Sequence, residues 1–520
     1  MKLRKILCVA LIALLTVSAL AGCGGEKEEL ATGSLTLWMG ARGPGGQDNF
    51  GQLEGMMKIQ ENLGITVEFV HPSSAAWEES FNIMIASGDY TDIIHWNWGS
   101  KYNGGYEGAL NDGVIVDLTD KMDKLPTYSK VLAENPDVDR SIRTVDGKLL
   151  YFASVKEDTS VNACYGPMIR KDWLDKLNLE MPTTIDEWYT VLKAFKTQDP
   201  NGNGKADEIP FADYKAAAFK QFAGAFGTRS GIYVKNGKVV YGFMQPEYKA
   251  FVTEMNKWYK EGLLDSEYPA LEKATQDAYM TNGTSGACIA YVGSGMGTYL
   301  TAGQADPNYN LVAAPWPSKE AGAPNYIPMD FTRRTSTDTG SVITTKCANL
   351  DVAFRFMDYL YSEEGTILQN WGIEGKSYVI ENGEYKLTDF VTNNPDGKSR
   401  LQALGLYADV AHDYPAKIVD AEAYAAAQYG TPQQKDASIV WDEGDTRLMT
   451  LEWPLTADEK AKLTEIQGII KTYESEVVTK MVIGTEPISN YGKHMTELRN
   501  RGLDEMLSIY QAAYDRFMAN

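Results

Sequence analysis

Apolar and polar positions follow two alternating periods along this chain. Ile65-Thr66-Val67-Glu68-Phe69-Val70 alternates strictly, the period of a half-buried strand. Leu35–Trp38 and Asp92–Trp96 have the short apolar character of further strands, and helical spacing fills 48–62 and 77–86 between them. Three strands separated by helices within about 60 residues predict right-handed βαβ units and a parallel sheet. A second unit begins near residue 150, with extended segments at 148–153 and 166–169. The spacing then predicts a helix over 184–197. Thr184 and Glu187 make a capping box, and Trp188, Val191, Leu192 and Phe195 share one apolar face. Residues 247–261 repeat that logic and stop at Gly262. Segments 286–291 and 310–314 read as strands that return the chain to its first lobe. From Asn349 onward the pattern is helical: 349–371, 401–408, 417–428, 456–482 and 491–518. The whole reads as α/β, in two lobes between which the chain passes more than once.

The first residues change the picture of where this body resides. Lys2, Arg4 and Lys5 precede a 15-residue apolar run, Ile6–Leu20. That is shorter than the roughly 20 residues a spanning helix needs, and it fits a signal peptide. The run ends in Leu20-Ala21-Gly22-Cys23, which resembles a bacterial lipobox. Cys23 would then carry the lipid (diacylglyceryl and palmitate) and become the mature N-terminus, with 1–22 removed and 23–34 as a polar tether. No second apolar stretch approaches spanning length, so the expected place is the outer face of the cytoplasmic membrane, held by the anchor.

Charge narrows the partners. With 49 Lys+Arg against 70 Asp+Glu the formal charge is −21, and loss of three cations with 1–22 makes it −24. Nucleic acid or an anionic membrane surface would want a basic face, so neither is expected as a partner. Beyond Cys23 only Cys164, Cys288 and Cys347 remain after processing. An odd number leaves at least one thiol unpaired, and all three stand in apolar contexts.

One local motif points to a metal. In Asp199-Pro200-Asn201-Gly202-Asn203-Gly204-Lys205-Ala206-Asp207-Glu208, oxygen side chains occupy relative positions 1, 3, 5 and 9, with Gly at 6. This is the first part of an EF-hand calcium loop: a hard cation wants six to eight oxygens, and alternation in a tight loop turns them inward. The Lys205 carbonyl would be the backbone ligand. Position 12 is Pro210, so Asp207 or Glu208 must replace the bidentate Glu. The same residues also suit an Asn/Gly-rich surface turn. Such a calcium would be structural. HExxH, GxxxxGK[ST] and GxSxG are all absent, and the four His are scattered. Trp38, Trp77, Trp96, Trp98, Trp316 and Trp371 fall at predicted strand ends or in the loops that follow, where parallel sheets bind ligands. Exposed there, aromatic faces suit sugar rings, and Arg333 and Arg334 would bond hydroxyls or carboxylates. Trp173, Trp188 and Trp258 lie on helix faces and are assigned to core.

The lipobox, ASGDYTDII (86–94), RKDWLDKLNLEMPTTIDEWYTVLKAFKTQDPNGNGKADEIPF (170–211), KEGLLD (260–265) and SEEGTILQNWGIEGKSY (362–378) resemble the extracellular solute-binding proteins of ABC importers. Within them the likeness is to the long, family 1 oligosaccharide-binding group that includes alginate-oligosaccharide binders. The resemblance implies a type II periplasmic-binding-protein-like fold, with a hinge, a cleft between lobes and a helical C-terminal part. Its expected lobes are 35–152 with about 287–345, and 153–286 with about 346–520. It implies a monomeric, non-enzymatic receptor that hands an oligosaccharide to permease subunits. It also implies a structural Ca2+ held by Asp199, Asn201, Asn203, Lys205, Asp207 and Glu208. Candidate sugar contacts are Trp77, Trp96, Trp98, Trp316, Arg333, Trp371, Glu374 and Tyr378. Two rival readings are a secreted glycoside hydrolase or lyase and a ligand sensor for a membrane kinase.

Overall fold

The computed structural model describes residues 32–519 except 41–46, 215–218, 328–332, 413–414 and 449–452. Cys23 and the signal segment lie outside the described residues. The chain opens with β1 (Gly33–Met39), α1 (Glu54–Leu63), β2 (Ile65–Val70), α2 (Trp77–Ser87) and β3 (Ile93–Trp96). It then lays down β4 (Tyr165–Arg170), α3 (Ile185–Thr197), β5 (Ile209–Ala212), α4 (Pro246–Lys260), β6 (Ser285–Tyr291) and β7 (Leu311–Ala313). After β8 (Gly340–Ile343), α5 (Leu350–Tyr359) and α6 (Glu363–Asn370), the C-terminal part includes α7 (Ala457–Ile483) and α8 (Leu503–Ala519).

Two four-stranded sheets result. The first has the order β8-β3-β1-β2, with β1 parallel to both β2 and β3 and β8 antiparallel to β3. Ile65, Val67 and Phe69 of β2 are buried while Thr66 and Glu68 are exposed, as strict alternation requires. The second has the order β7-β4-β6-β5, and only its β5–β6 pair is parallel. Each sheet has its own apolar core, and a third cluster around Trp371, Tyr378 and Leu404 packs the helices that follow α6.

The expected capping box is present. Thr184 Oγ1 accepts from the Glu187 backbone N–H at 3.2 Å, and Glu187 Oε2 accepts from that of Thr184 at 3.0 Å. Trp173, Trp188 and Trp258 are fully buried in the second core, as expected.

The structure corrects several expectations. Segments 286–291 and 310–314 are β6 and β7 of the second sheet, not a return to the first. β6 is buried from Ser285 to Ala290 because β4 and β5 flank it on either side. The return comes later, at β8. The residues after 346 begin by covering the first core: Val352, Phe356, Met357 and Leu360 belong to it. The expected division into 287–345 and 346–520 therefore does not follow the packing. Segment 148–153 makes a single bridge, Phe152 to Ser341, not a strand. Helix 349–371 breaks after Tyr359, where Ser362 Oγ accepts from Gly365 N–H and starts α6. Helix 491–518 breaks at Arg501–Gly502.

Three segments connect the lobes side by side. Val155 N–H donates to Lys417 O at 2.8 Å, Lys156 N–H to Arg334 O at 2.7 Å and Phe152 N–H to Ser341 O at 2.8 Å. Arg334 ties this strip to the first lobe through Asn135 Oδ1 at 2.7 Å and Asp137 at 3.3 Å.

Candidate functional site

The two lobes enclose a cavity of about 880 Å³. The first lobe supplies the residues after the carboxyl ends of β2 and β3, including Glu78 on α2 and Gly99–Lys101. The second lobe supplies α7, α8 through Tyr510, and Trp453. α7 packs one face on α4, where Asn256 Nδ2 donates to the Met481 and Val482 carbonyls at 2.8 and 3.0 Å. Ile466, Ile470, Val477 and Val478 are buried in the second core, Leu463 belongs both to that core and to the cavity wall, and Lys460, Thr464, Gln467 and Lys471 turn to the cavity. Their spacing of 4, 3 and 4 residues is one stripe of an α-helix. This polar stripe was legible in the sequence, but nothing local said that it faced a cleft.

On the opposite wall, Tyr106 and Tyr151 stack at 3.9 Å and 8°. Their hydroxyls donate to Asp338 O and Ser336 O, both at 3.2 Å, and so hold the 336–338 turn in place. Asp338 Oδ2 accepts from Asn97 Nδ2 at 3.1 Å, whereas Oδ1 is buried with no partner among the described residues. The Nε1 of Trp453 is likewise buried, with no partner among the described residues. Lys101 pairs with Glu78 at 2.6 Å, and Arg143 with Asp139 at 2.8 Å. Burial raises the Glu107 carboxyl, and Lys460 nearby opposes that rise.

Of the eight residues expected to meet a sugar, the cavity wall contains Arg333. Trp98, Trp316 and Trp371 are core. Their indole N–H groups donate to Ile94 O at 3.4 Å, Trp441 O at 3.1 Å and Asp420 Oδ2 at 2.7 Å. Tyr378 is buried beside Trp371, and Glu374 is exposed on a turn away from the cavity. Trp77 is half-buried on the first core, and Trp96 is buried edge-on to Trp38 at 5.3 Å and 81°. The Trp96 ring occupies the space a side chain at residue 40 would need: a Cβ there would meet Cζ3 at 2.2 Å, so only Gly40 fits. The Nε1 atoms of Trp77 and Trp96 are buried without partners among the described residues. Reasoning from strand ends thus missed Trp453, Tyr106, Tyr151, Asp338 and Lys471. Position along a strand does not tell which end of the sheet another lobe will cover.

The 199–208 loop sits on the second lobe, away from the cavity. Asp199 Oδ1 and Oδ2 accept from the backbone N–H groups of Asn203 and Gly204 at 3.1 and 3.0 Å. Asn201 Oδ1 accepts from Asn203 N–H at 3.0 Å, and Asn203 Oδ1 from Lys205 N–H at 2.8 Å. Gly204 has φ +73°, the left-handed turn for which the sequence had reserved it. Bonds from Asn203 and Asn201 hold the Asp207 carboxyl below the usual carboxylate range. Burial pushes Glu208 up and the charges of Asp199 and Asp207 add to it, while its Oε1 is buried without a hydrogen-bond partner among the described residues. Among the described residues no three His, Cys, Asp or Glu side chains gather as a metal cluster. The donors here are two carboxamides, a carbonyl and carboxylates, the mixed oxygen set a calcium ion accepts.

Known proteins resemble this chain in sequence and in fold. The family model described as bacterial extracellular solute-binding protein matches residues 51–367. A fructooligosaccharide ABC transporter substrate-binding protein, FusA of Streptococcus pneumoniae, is 24% identical over 89% of this chain and 87% of its own. The polygalacturonan/rhamnogalacturonan-binding protein YtcQ of Bacillus subtilis is 27% identical over 55% of this chain and 57% of its own. Among solved structures, the alginate-binding protein AlgQ2 without calcium ion superposes with a TM-score of 0.76, at 24% identity over 93% of this chain and 98% of that one. The S. pneumoniae FusA complex with kestose gives 0.78, at 23% identity over 94% of this chain and 100% of that one. These likenesses establish the two-lobed fold.

Proposed function

The chain belongs to the bacterial extracellular solute-binding protein family, and from that premise we propose that it is the lipid-anchored receptor of an ABC importer, taking an oligosaccharide between its lobes. The cavity carries the reading. Its volume suits a several-ring ligand, both lobes line it, and its wall combines the aromatic side chains of Tyr106, Tyr151 and Trp453 with the polar side chains of Asn82, Thr464 and Gln467. Sugar hydroxyls bond such polar groups, and rings lie against Tyr and Trp faces. A ligand that touches both lobes binds the closed arrangement better and shifts the population toward it. Loading is then read by the permease as a shape, and no chemistry on the sugar is required. Isothermal titration of the mature chain against a glycan panel tests this. Heat and a raised melting midpoint with at least one oligosaccharide are expected, and silence across the panel would overturn it. Unchanged oligosaccharide after prolonged incubation is the expected mark of a receptor rather than a hydrolase or lyase.

The reading includes a structural Ca2+ on the 199–208 loop. The Glu208 Oε1, buried without a hydrogen-bond partner among the described residues, and the mutual repulsion of Asp199, Asp207 and Glu208 fit a cation there. Asp199, Asn201, Asn203, the Lys205 carbonyl, Asp207 and Glu208 would hold it. When bound it supplies charge balance and ties the end of α3 to the start of β5. Cys23 remains the proposed site of lipidation, and mass spectrometry of the membrane-extracted chain is its direct check.

A further inference from the structure

The charges on the cavity wall run opposite to those of the chain as a whole. The protein carries −21, yet five of the seven charged residues lining the cavity are basic. The basic groups are Lys101, Arg143, Arg333, Lys460 and Lys471, and the acidic ones are Glu78 and Asp338. Three of the cations have carboxylates nearby: Lys101 has Glu78, Arg143 has Asp139, and Lys460 acts on Glu107. Lys471 is different. It is exposed on α7 and forms no ion pair among the described residues. For a neutral sugar a cation serves only as one more hydroxyl donor, which Asn82, Thr464 and Gln467 on the same wall supply without charge. Each cation held close to others costs Coulomb energy unless a negative ligand offsets it.

We infer that the ligand is an acidic oligosaccharide, a chain of sugar residues bearing uronate carboxylates, with Lys471 and Arg333 as its carboxylate-facing residues. This rests on the reading of the cavity as the sugar site. The geometry of α7 supports a chain rather than a single ring. Lys460 and Lys471 share one stripe, 11 residues apart, which at 1.5 Å per residue is about 16 Å along the helix axis. Several rings in a row are needed to meet both. Gln467 and Thr464 between them offer neutral donors and acceptors for hydroxyls, and Gly468 leaves room for a ring to approach the helix. Ammonium or guanidinium bonds to a carboxylate are shorter and stronger than those to a hydroxyl, so charge is the feature by which this wall selects.

The test is isothermal titration of the mature chain with two matched series. The acidic series is oligogalacturonate, oligomannuronate and oligoguluronate; the neutral series is the corresponding galacto-, manno- and gulo-configured oligosaccharides. Titrations run at about 50 and about 500 mM NaCl, where screening differs strongly. The tightest ligand is expected in the acidic series, weakened several-fold by the higher salt. Lys471→Ala and Arg333→Ala are each expected to weaken it about two- to five-fold, Lys471→Glu more, and Lys480→Ala, on the same helix but off the cavity, not at all. Unchanged melting midpoints establish that the variants are folded. If a neutral ligand binds as tightly as the best acidic one, the charge inference falls and the oligosaccharide reading stands. Acidic ligands binding tightest but indifferent to Lys471→Glu would remove the assignment to this wall. Binding in neither series would overturn both the inference and the reading beneath it.

Discussion

At the scale of single residues, what was legible depended on whether the chemistry was local. The 199–208 loop is set by side chains a few positions apart, so its spacing alone gave the oxygen set and the turn at Gly204. If it holds calcium, a chelator lowers the melting midpoint and Asp199→Ala lowers it by a similar amount. At a hundredfold excess of ion over its Kd the effect is about 2.7 kcal/mol. The two treatments should not add, and a midpoint unmoved by both removes the metal. The tryptophans went otherwise because their fate is decided by distant chain. Trp316 follows β7, but the Pro432–Asp442 helix covers it with Trp441, and Trp371 finds Asp420 about 50 residues on. Trp371→Phe should therefore cost stability, about 1–3 kcal/mol by chemical denaturation for the lost buried bond. Ligand affinity should stay within about twofold, since Trp371 touches no cavity wall. A large loss of affinity at unchanged stability would return it to the site.

At the scale of elements, periodicity found the long helices and the central strands well. It misjudged how strands pair, because β6 and β7 carry no mark of which sheet will receive them. It also ran helices through breaks that a single cap produces, as at Ser362. The capping box of α3 makes a sharper prediction. Glu187 accepts from the backbone and hydroxyl of Thr183 and the backbone of Thr184, and the Thr183 backbone bond is first in holding its carboxyl below the usual range. A carboxyl depressed in the folded state stabilises above its unfolded pKa and ceases to do so as pH falls through the folded one. Glu187→Gln should thus cost about 0.5–1 kcal/mol at neutral pH, the worth of a screened cap at a helix N-terminus. The difference should vanish in acid below the usual carboxylate range. Urea titrations of both proteins at neutral and acid pH read it directly, and a gap that persists in acid counts against the cap.

At the scale of the molecule, two lobes and repeated crossings were legible in the alternation of periods, and the cavity was not, because it is made by surfaces from opposite ends of the chain. β8 and Trp453 take their places only through distant chain, β8 by antiparallel pairing with β3 and Trp453 by packing on Tyr510 and Tyr514 of α8. Closure over an oligosaccharide should reduce the radius of gyration measured by X-ray scattering, and the reduction should saturate together with the heat of binding. A bound state with an unchanged scattering curve would mean that the cavity fills without closing. The three connecting segments say what form that closure takes. Strips bonded edge to edge through Val155–Lys417, Lys156–Arg334 and Phe152–Ser341 flex across their length, but a torque about the long axis would shear those bonds. We expect closure to follow one soft coordinate, an opening angle. One distance across the mouth then measures the whole transition, and a partner that senses that distance has sensed the cargo.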